Sequence, residues 1–209
     1  ADAARSVRRI IAHRGSSADR PENTRAAYER AIQAGATAIE TDVTVARDGR
    51  LVVMHDGTVD RTTNGSGPVG GLTLAELKRL DAGSWFHQRF KKERVLTLRE
   101  VLELCKGRVG VVVDSKEDGA GMVAEMIAEI QRYGDPKETL LVLGSAARIR
   151  FYREHLPEAT RMGFIQDPAQ IEEFLAAGAN LIRLYPRWAK DKAVVERVRR
   201  AGAELHMIA

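Results

Sequence analysis

Short apolar, β-branched runs alternate with longer amphipathic stretches along this chain. The runs are Val7–Ala12, Ala38–Val45, Val109–Val113, Leu140–Leu143, Arg161–Phe164, Leu181–Leu184 and Glu204–Ile208. Between them, Arg25–Ala34, Met122–Tyr133, Ile149–His155, Ala169–Ala177 and Lys192–Ala201 repeat apolar residues at helical spacing. Strands alternating with helices predict parallel βαβ units. Gly35, Gly107, Gly134, Gly178 and Gly202 stand where those helices should stop.

The rhythm breaks after His55, where a loop rich in Gly, Thr and Asn runs from Gly57 to Gly71. Thr73 and Glu76 then form a capping-box pair opening a short helix that Gly83 ends, and Thr97 with Glu100 forms a second. Residues about 57–95 therefore read as a small subdomain inserted into one βα connection of a single domain, 1–209. The expected class is α/β. Seven strands can be counted where a closed (β/α)8 barrel has eight. A last βα unit of roughly 30 residues is thus missing from the count. An open doubly wound sheet is the alternative arrangement.

Composition adds bounds. The chain has 209 residues, 44% hydrophobic and 30% charged, with net charge +4. This is a globular composition with a mild preference for anionic ligands. The basic residues are scattered rather than set in a stripe with aromatics, which argues against nucleic-acid binding. No apolar run approaches the roughly 20 residues of a membrane span. One cysteine, Cys105, excludes an internal disulfide. The start Ala1-Asp2-Ala3-Ala4 lacks Met, which is compatible with signal-peptide removal or with trimming. Cytoplasmic and secreted or periplasmic locations both stay open, as does the oligomeric state.

The densest chemistry lies in Ile39–His55. Asp48-Gly49 between two β-prone arms predicts a two-residue type I′ hairpin. Arg47 then faces Arg50 and, counting back, Asp42 faces His55. Glu40, two residues before Asp42, shares its face. Two carboxylates that close repel unless a proton or a cation lies between them. A hard divalent cation, Mg2+ or Ca2+, suits oxygen ligands.

Other polar residues fall at neighbouring strand ends, where parallel α/β folds bind ligands. His13, Arg14 and Gly15 end the first run; Asp114 and Lys116 end the run after the insertion. Such a set suits phosphoryl transfer. A cation on Glu40, Asp42 and Asp114 would neutralise charge on a phosphate. Arg14 offers a planar fork and Lys116 a point charge. His13 and His55 can exchange protons near neutral pH, one activating the nucleophile and the other protonating the leaving oxygen. The bland alternative for the hairpin is a surface strand with alternating polar residues.

Motifs in order resemble the glycerophosphodiester phosphodiesterase family. They comprise Ile11–Gly15, Pro21–Thr24, Gly35–Val43, Asp48-Gly49, Val52–Asp56 and Asp60–Gly65, and are dense over roughly the first 116 residues. The resemblance implies a TIM-type barrel with a small subdomain over its catalytic face. It implies hydrolysis of small-molecule glycerophosphodiesters to an alcohol and glycerol 3-phosphate. By matching position it makes His13 and His55 the acid–base pair, Arg14 a phosphate contact, and Glu40, Asp42 and Asp114 the ligands of one divalent cation. The family's usual third carboxylate is Glu; Asp114 is one methylene shorter.

Glu22 and Asn23 read as supports of the site and starters of the first helix. Arg61, Thr62 and Thr63 could line the site or order their loop. Arg183, at a late strand end, is a substrate-binding candidate. His87, His155 and His206 have no partner motif. Two other functions stay open: a lysophospholipase D-like lipid phosphodiesterase, which needs an apolar patch beside the site, and a silent phosphodiester binder.

Overall fold

The computed structural model describes residues 9–116 and 119–207. The chain forms two compact units, the first ending at Asp135 and the second beginning at Pro136.

The first unit contains β1 (Ile11–Ala12), α1 (Arg25–Gln33), β2 (Ala38–Val45), β3 (Leu51–Val53), α2 (Leu74–Leu77), α3 (Leu98–Cys105), β4 (Gly110–Ser115) and α4 (Ala120–Tyr133). β2 lies between β1 and β4 and is parallel to both. β3 pairs antiparallel with β2. The interior strand β2 is buried for seven of its eight residues, including Glu40, Thr41, Asp42 and Thr44. Burying such groups is costly unless each finds a partner. Ile39, Val43, Val111–Val113, Leu98, Leu102, Met126 and Ile130 are all buried in the apolar interior.

The second unit contains β5 (Thr139–Leu143), α5 (Ala146–His155), β6 (Thr160–Phe164), α6 (Ile171–Ala177), β7 (Leu181–Leu184), α7 (Pro186–Ala189), α8 (Lys192–Arg200) and β8 (Glu204–Met207). Its four strands pair in parallel in sequence order. Gly178 ends α6 in the left-handed conformation, φ 108°, which spares the Cβ penalty. Among the described residues, seven strands thus join parallel pairs, as the alternating pattern predicts. The start of the first run and Ile208 lie outside the described residues.

Both expected capping boxes form. Thr73 and Thr97 accept from the amides of Glu76 and Glu100, whose carboxylates accept from the threonine amides. The first helix stops at Leu77, six residues before Gly83. In segment 57–95, Val59, Val69, Leu77, Ala82 and Val95 gather with Ala46, Val52 and Met54 in one apolar cluster. The segment therefore packs on the hairpin that precedes it.

The hairpin register differs from the one expected. Val43 pairs with Val53 and Val45 with Leu51, and the amide of Met54 donates to the carbonyl of Asp42 at 3.0 Å. Asp42 is therefore opposite Met54, not His55. The cause is the turn. The Ala46 amide donates to Arg50, leaving Arg47, Asp48 and Gly49 as a three-residue loop with Gly49 at φ 76°. An Asp-Gly pair suits this turn, with glycine in the left-handed region, as well as it suits type I′.

Candidate active site

The loop from β1 into α1 is shaped by unusual backbone. Arg14 and Asn23 both have φ 57°, and Gly15 has φ 78°. A Cβ on Gly15 would stand 2.7 Å from the Ala27 carbonyl carbon, so only glycine lets α1 approach. The Asn23 amide donates to the Arg14 carbonyl at 3.0 Å, closing the loop. Thr24 caps α1 by accepting from Ala27.

This loop delivers donors to the buried acids of β2. The Arg14 amide donates to Glu40 Oε2 at 2.8 Å, and Asn23 Nδ2 donates to Asp42 Oδ2 at 2.8 Å. Tyr28 Oη lies 2.9 Å from Asn23 Oδ1 and 2.8 Å from Thr41 Oγ1, fixing the Asn23 side chain from below. The support role expected of Asn23 is thus given a geometry.

Asp114 of β4 is in register with Asp42 of β2. Parallel register puts both on one face, and the period of two adds Glu40. One oxygen from each of Glu40, Asp42 and Asp114 lies within 4.8 Å of the others. Burial, then the neighbouring Asp42, pushes the Glu40 carboxyl well above the usual carboxylate range.

Lys116 Nζ reaches into the same group, 2.7 Å from Asp42 Oδ1 and 2.8 Å from Asp114 Oδ2. Burial pulls its ammonium down, but hydrogen bonds to Asp114 and Asp42 outweigh that and raise it. Arg14 Nε is buried without a hydrogen bond, 3.3 Å from Asp42 Oδ2, while the buried Asp42 Oδ1 meets the Lys116 ammonium at 2.7 Å. A buried carboxylate oxygen of this kind, beside two further acids, fits a cation ligand. Two oxygens across a Ca2+ ion lie about 4.6–5.2 Å apart, and across Mg2+ about 4.0–4.2 Å. Three oxygens within 4.8 Å of one another are close enough to share one such ion.

His13 follows β1 and is exposed; its carbonyl accepts from Ser17 Oγ. His55 follows β3, where the chain has left the sheet, and lines a small cleft with Glu22, Asn23 and Thr62. A charged chain ties it to the acids. His55 Nδ1 lies 2.8 Å from Asp56 Oδ1. Arg61 grips both Asp56 oxygens, at 2.6 and 3.0 Å, and both Glu22 oxygens, at 2.8 and 2.9 Å. Glu22 accepts from Arg14 Nη1 at 3.0 Å. Arg61 and His55 hold the Asp56 carboxyl well below the usual range. Burial raises Glu22, but Arg61 and Arg14 more than reverse it.

The first unit therefore brings together Arg14, Glu40, Asp42, Asp114 and Lys116, with His55 attached through Asp56, Arg61 and Glu22. Asp56 and Arg61 were not singled out as a pair; a carboxylate next to the histidine and an arginine five residues on were the only local signal. Arg183 belongs to β7 of the second unit. There its guanidinium lies 4.7 Å over the Phe164 ring, and it is in register with His206. Burial, then Arg183, lowers His206 to about 4.

The family model of the glycerophosphoryl diester phosphodiesterases matches residues 13–207. A glycerophosphodiester phosphodiesterase of Caldanaerobacter subterraneus is 45% identical over 136 residues, 63% of this chain and 56% of its own length. The chain spans about half the length of the first three curated relatives it matches, 56%, 44% and 45%. A glycerophosphodiester phosphodiesterase structure from Agrobacterium tumefaciens superposes with TM-score 0.87 at 36% identity, over 96% of this chain and 86% of that one. A phosphodiesterase of Oleispira antarctica in complex with the product sn-glycerol-3-phosphate gives TM-score 0.88 at 28% identity, over 99% and 86%. The α/β class expected from the alternating pattern, and the TIM-type barrel implied by the family resemblance, are what these structures share with the chain. Matched from His13 at the first strand end to Met207 in the last strand described, the chain belongs to the glycerophosphoryl diester phosphodiesterase family.

Proposed function

We propose that this chain hydrolyses glycerophosphodiesters to an alcohol and glycerol 3-phosphate, with one divalent cation, Mg2+ or Ca2+, and His13 and His55 as the acid–base pair. The observation that carries this reading is the convergence of Glu40, Asp42 and Asp114 within 4.8 Å beside two cations of the chain, Arg14 and Lys116. The product-bound relative supports the substrate class.

When bound, the cation would polarise a phosphate oxygen and offset charge in the transition state. The remaining work falls to the chain. Arg14 and Lys116 attract the phosphodiester to the acid face. With Nδ1 engaged by Asp56, His55 keeps Nε2 for proton exchange. One histidine accepts a proton from the attacking oxygen and the other gives one to the departing alkoxide. Segment 57–95, read as an inserted subdomain, supplies Arg61 to this arrangement. Arg183 remains a substrate-contact candidate in the second unit.

The test is purified protein with glycerophosphocholine, glycerophosphoethanolamine and lysolipids, with Mg2+ or Ca2+, and detection of glycerol 3-phosphate or its acylated form. Glycerol 3-phosphate from the soluble diesters is the expected result. No product with any cation would replace the reading with a silent binder, and product from lysolipids alone with a lipid phosphodiesterase.

A further inference from the structure

We infer that Asp56 is a positioning residue that orients His55, that Arg61 is the clamp fixing Asp56, and that Glu22 anchors the clamp. The inference deepens the two-histidine reading above and rests on it.

His55 needs such a device because the sheet does not hold it. β3 ends at Val53, and the last backbone bond to β2 is made by Met54. The His55 side chain is 35% exposed. A ring at that position, on backbone free of the ladder, has several rotamers open to it. Asp56 Oδ1 stands 2.8 Å from His55 Nδ1 and selects one.

Asp56 is itself held. Both its oxygens bond to Arg61 through Nε and Nη2, and the other edge of the same guanidinium bonds to both oxygens of Glu22. Two forked pairs on one planar group fix direction as well as distance. Glu22 is 13% exposed and is bonded to Arg14, whose backbone amide holds Glu40. His55 is therefore referenced, through side chains alone, to the loop that supplies donors to the acids.

The arrangement also decides which nitrogen carries the proton. A carboxylate on Nδ1 keeps the neutral ring protonated there and leaves the Nε2 lone pair for the substrate side. When the ring gains a second proton, Asp56 faces the positive charge.

The experiment uses the full chain. Asp56→Ala, His55→Ala and the double variant are assayed with glycerophosphocholine and a divalent cation, and wild-type His55 is examined by 15N NMR of its ring. Asp56→Ala is expected to lower kcat by ~10²-fold, at the low end of what acid–base catalysis contributes, with KM within about threefold. In the His55→Ala background the same change should cost nothing further, which a merely structural residue would not show. Asp56→Glu should recover part of kcat. The neutral wild-type ring should carry its proton on Nδ1.

Wild-type kcat in Asp56→Ala with an inactive His55→Ala would overturn the positioning role and leave the two-histidine reading standing. Activity retained in His55→Ala would sink that reading itself. A wild-type ring protonated on Nε2 would overturn the orientation without any variant, so a poorly folded Asp56→Ala does not shield the inference.

Discussion

Lys116 Nζ lies 2.7 Å from Asp42 Oδ1, so a cation of the chain already occupies the edge of the acid cluster. The ammonium offsets two carboxylates that would otherwise repel, and it competes with any ion that enters. Lys116→Met should therefore tighten Ca2+ binding by about tenfold or more, since one unit charge at such range exceeds ~1.4 kcal/mol at an effective dielectric of ~20. The same variant should raise KM for the phosphodiester. Thermal-shift titration with Ca2+ reads the first effect, and equal midpoints in both proteins would contradict it.

Without a cation, Glu40 should contribute a pH dependence of its own. Its carboxyl is pushed up from 4.5 to about 8, so between those values the folded chain holds a proton that the unfolded chain has lost. The unfolded state binds fewer protons there, so the contribution of Glu40 to stability falls as pH rises through that window. In chelator, melting of the wild type relative to Glu40→Gln should drop from pH 5 to pH 8, a difference in which the shared contributions of Glu129, raised to about 7, and His206, lowered to about 4, cancel. Parallel pH trends in the two proteins would refute the assignment.

His13→Ala and His55→Ala should each reduce kcat by roughly 10²–10⁴-fold. Neither side chain is a ligand in the proposed set, so the Ca2+-induced rise in melting temperature should be kept in both. Steady-state kinetics beside the thermal titration separates the two effects. A variant that loses the Ca2+ response as well would make that histidine part of the cation site.

Gly15→Ala should destabilise the fold by about 2–4 kcal/mol, combining a clash in a packed interior with left-handed backbone. The added carbon would meet Ala27 backbone at 2.7 Å. Gly49→Ala is the control: its φ of 76° is similar, but nothing lies within 4 Å. It should cost only ~1–2 kcal/mol. Urea unfolding of the pair measures both, and equal losses would show that packing against α1 contributes nothing.

Much of this was legible in residue order because it depends on local rules. Thr73 with Glu76 and Thr97 with Glu100 satisfy backbone amides three residues away, so they mark helix starts without knowledge of the fold. Glu40, Asp42 and Asp114 were legible because strand period and strand ends place side chains. The Asp42–His55 pairing was not, because Asp48-Gly49 is compatible with two loop lengths that differ by one residue. The clamp that Arg61 makes escaped for another reason. Its two carboxylate partners are five and 39 residues away, and only the path of the loop over the hairpin brings Glu22 within reach.

The left-handed backbone at Arg14 and Asn23 has a consequence for binding. Non-glycine residues in that region carry about 1–3 kcal/mol each, a cost met once, when the chain folds. The amide of Arg14 and the side-chain amide of Asn23 are thereby aimed at Glu40 and Asp42 before any ligand arrives. An incoming phosphate has little of this loop left to order, so less of its interaction energy is lost to freezing the protein. Glycine at position 23 would relieve the backbone and remove the contact to Asp42 together. Thermal robustness and readiness to bind are set against each other at this one residue.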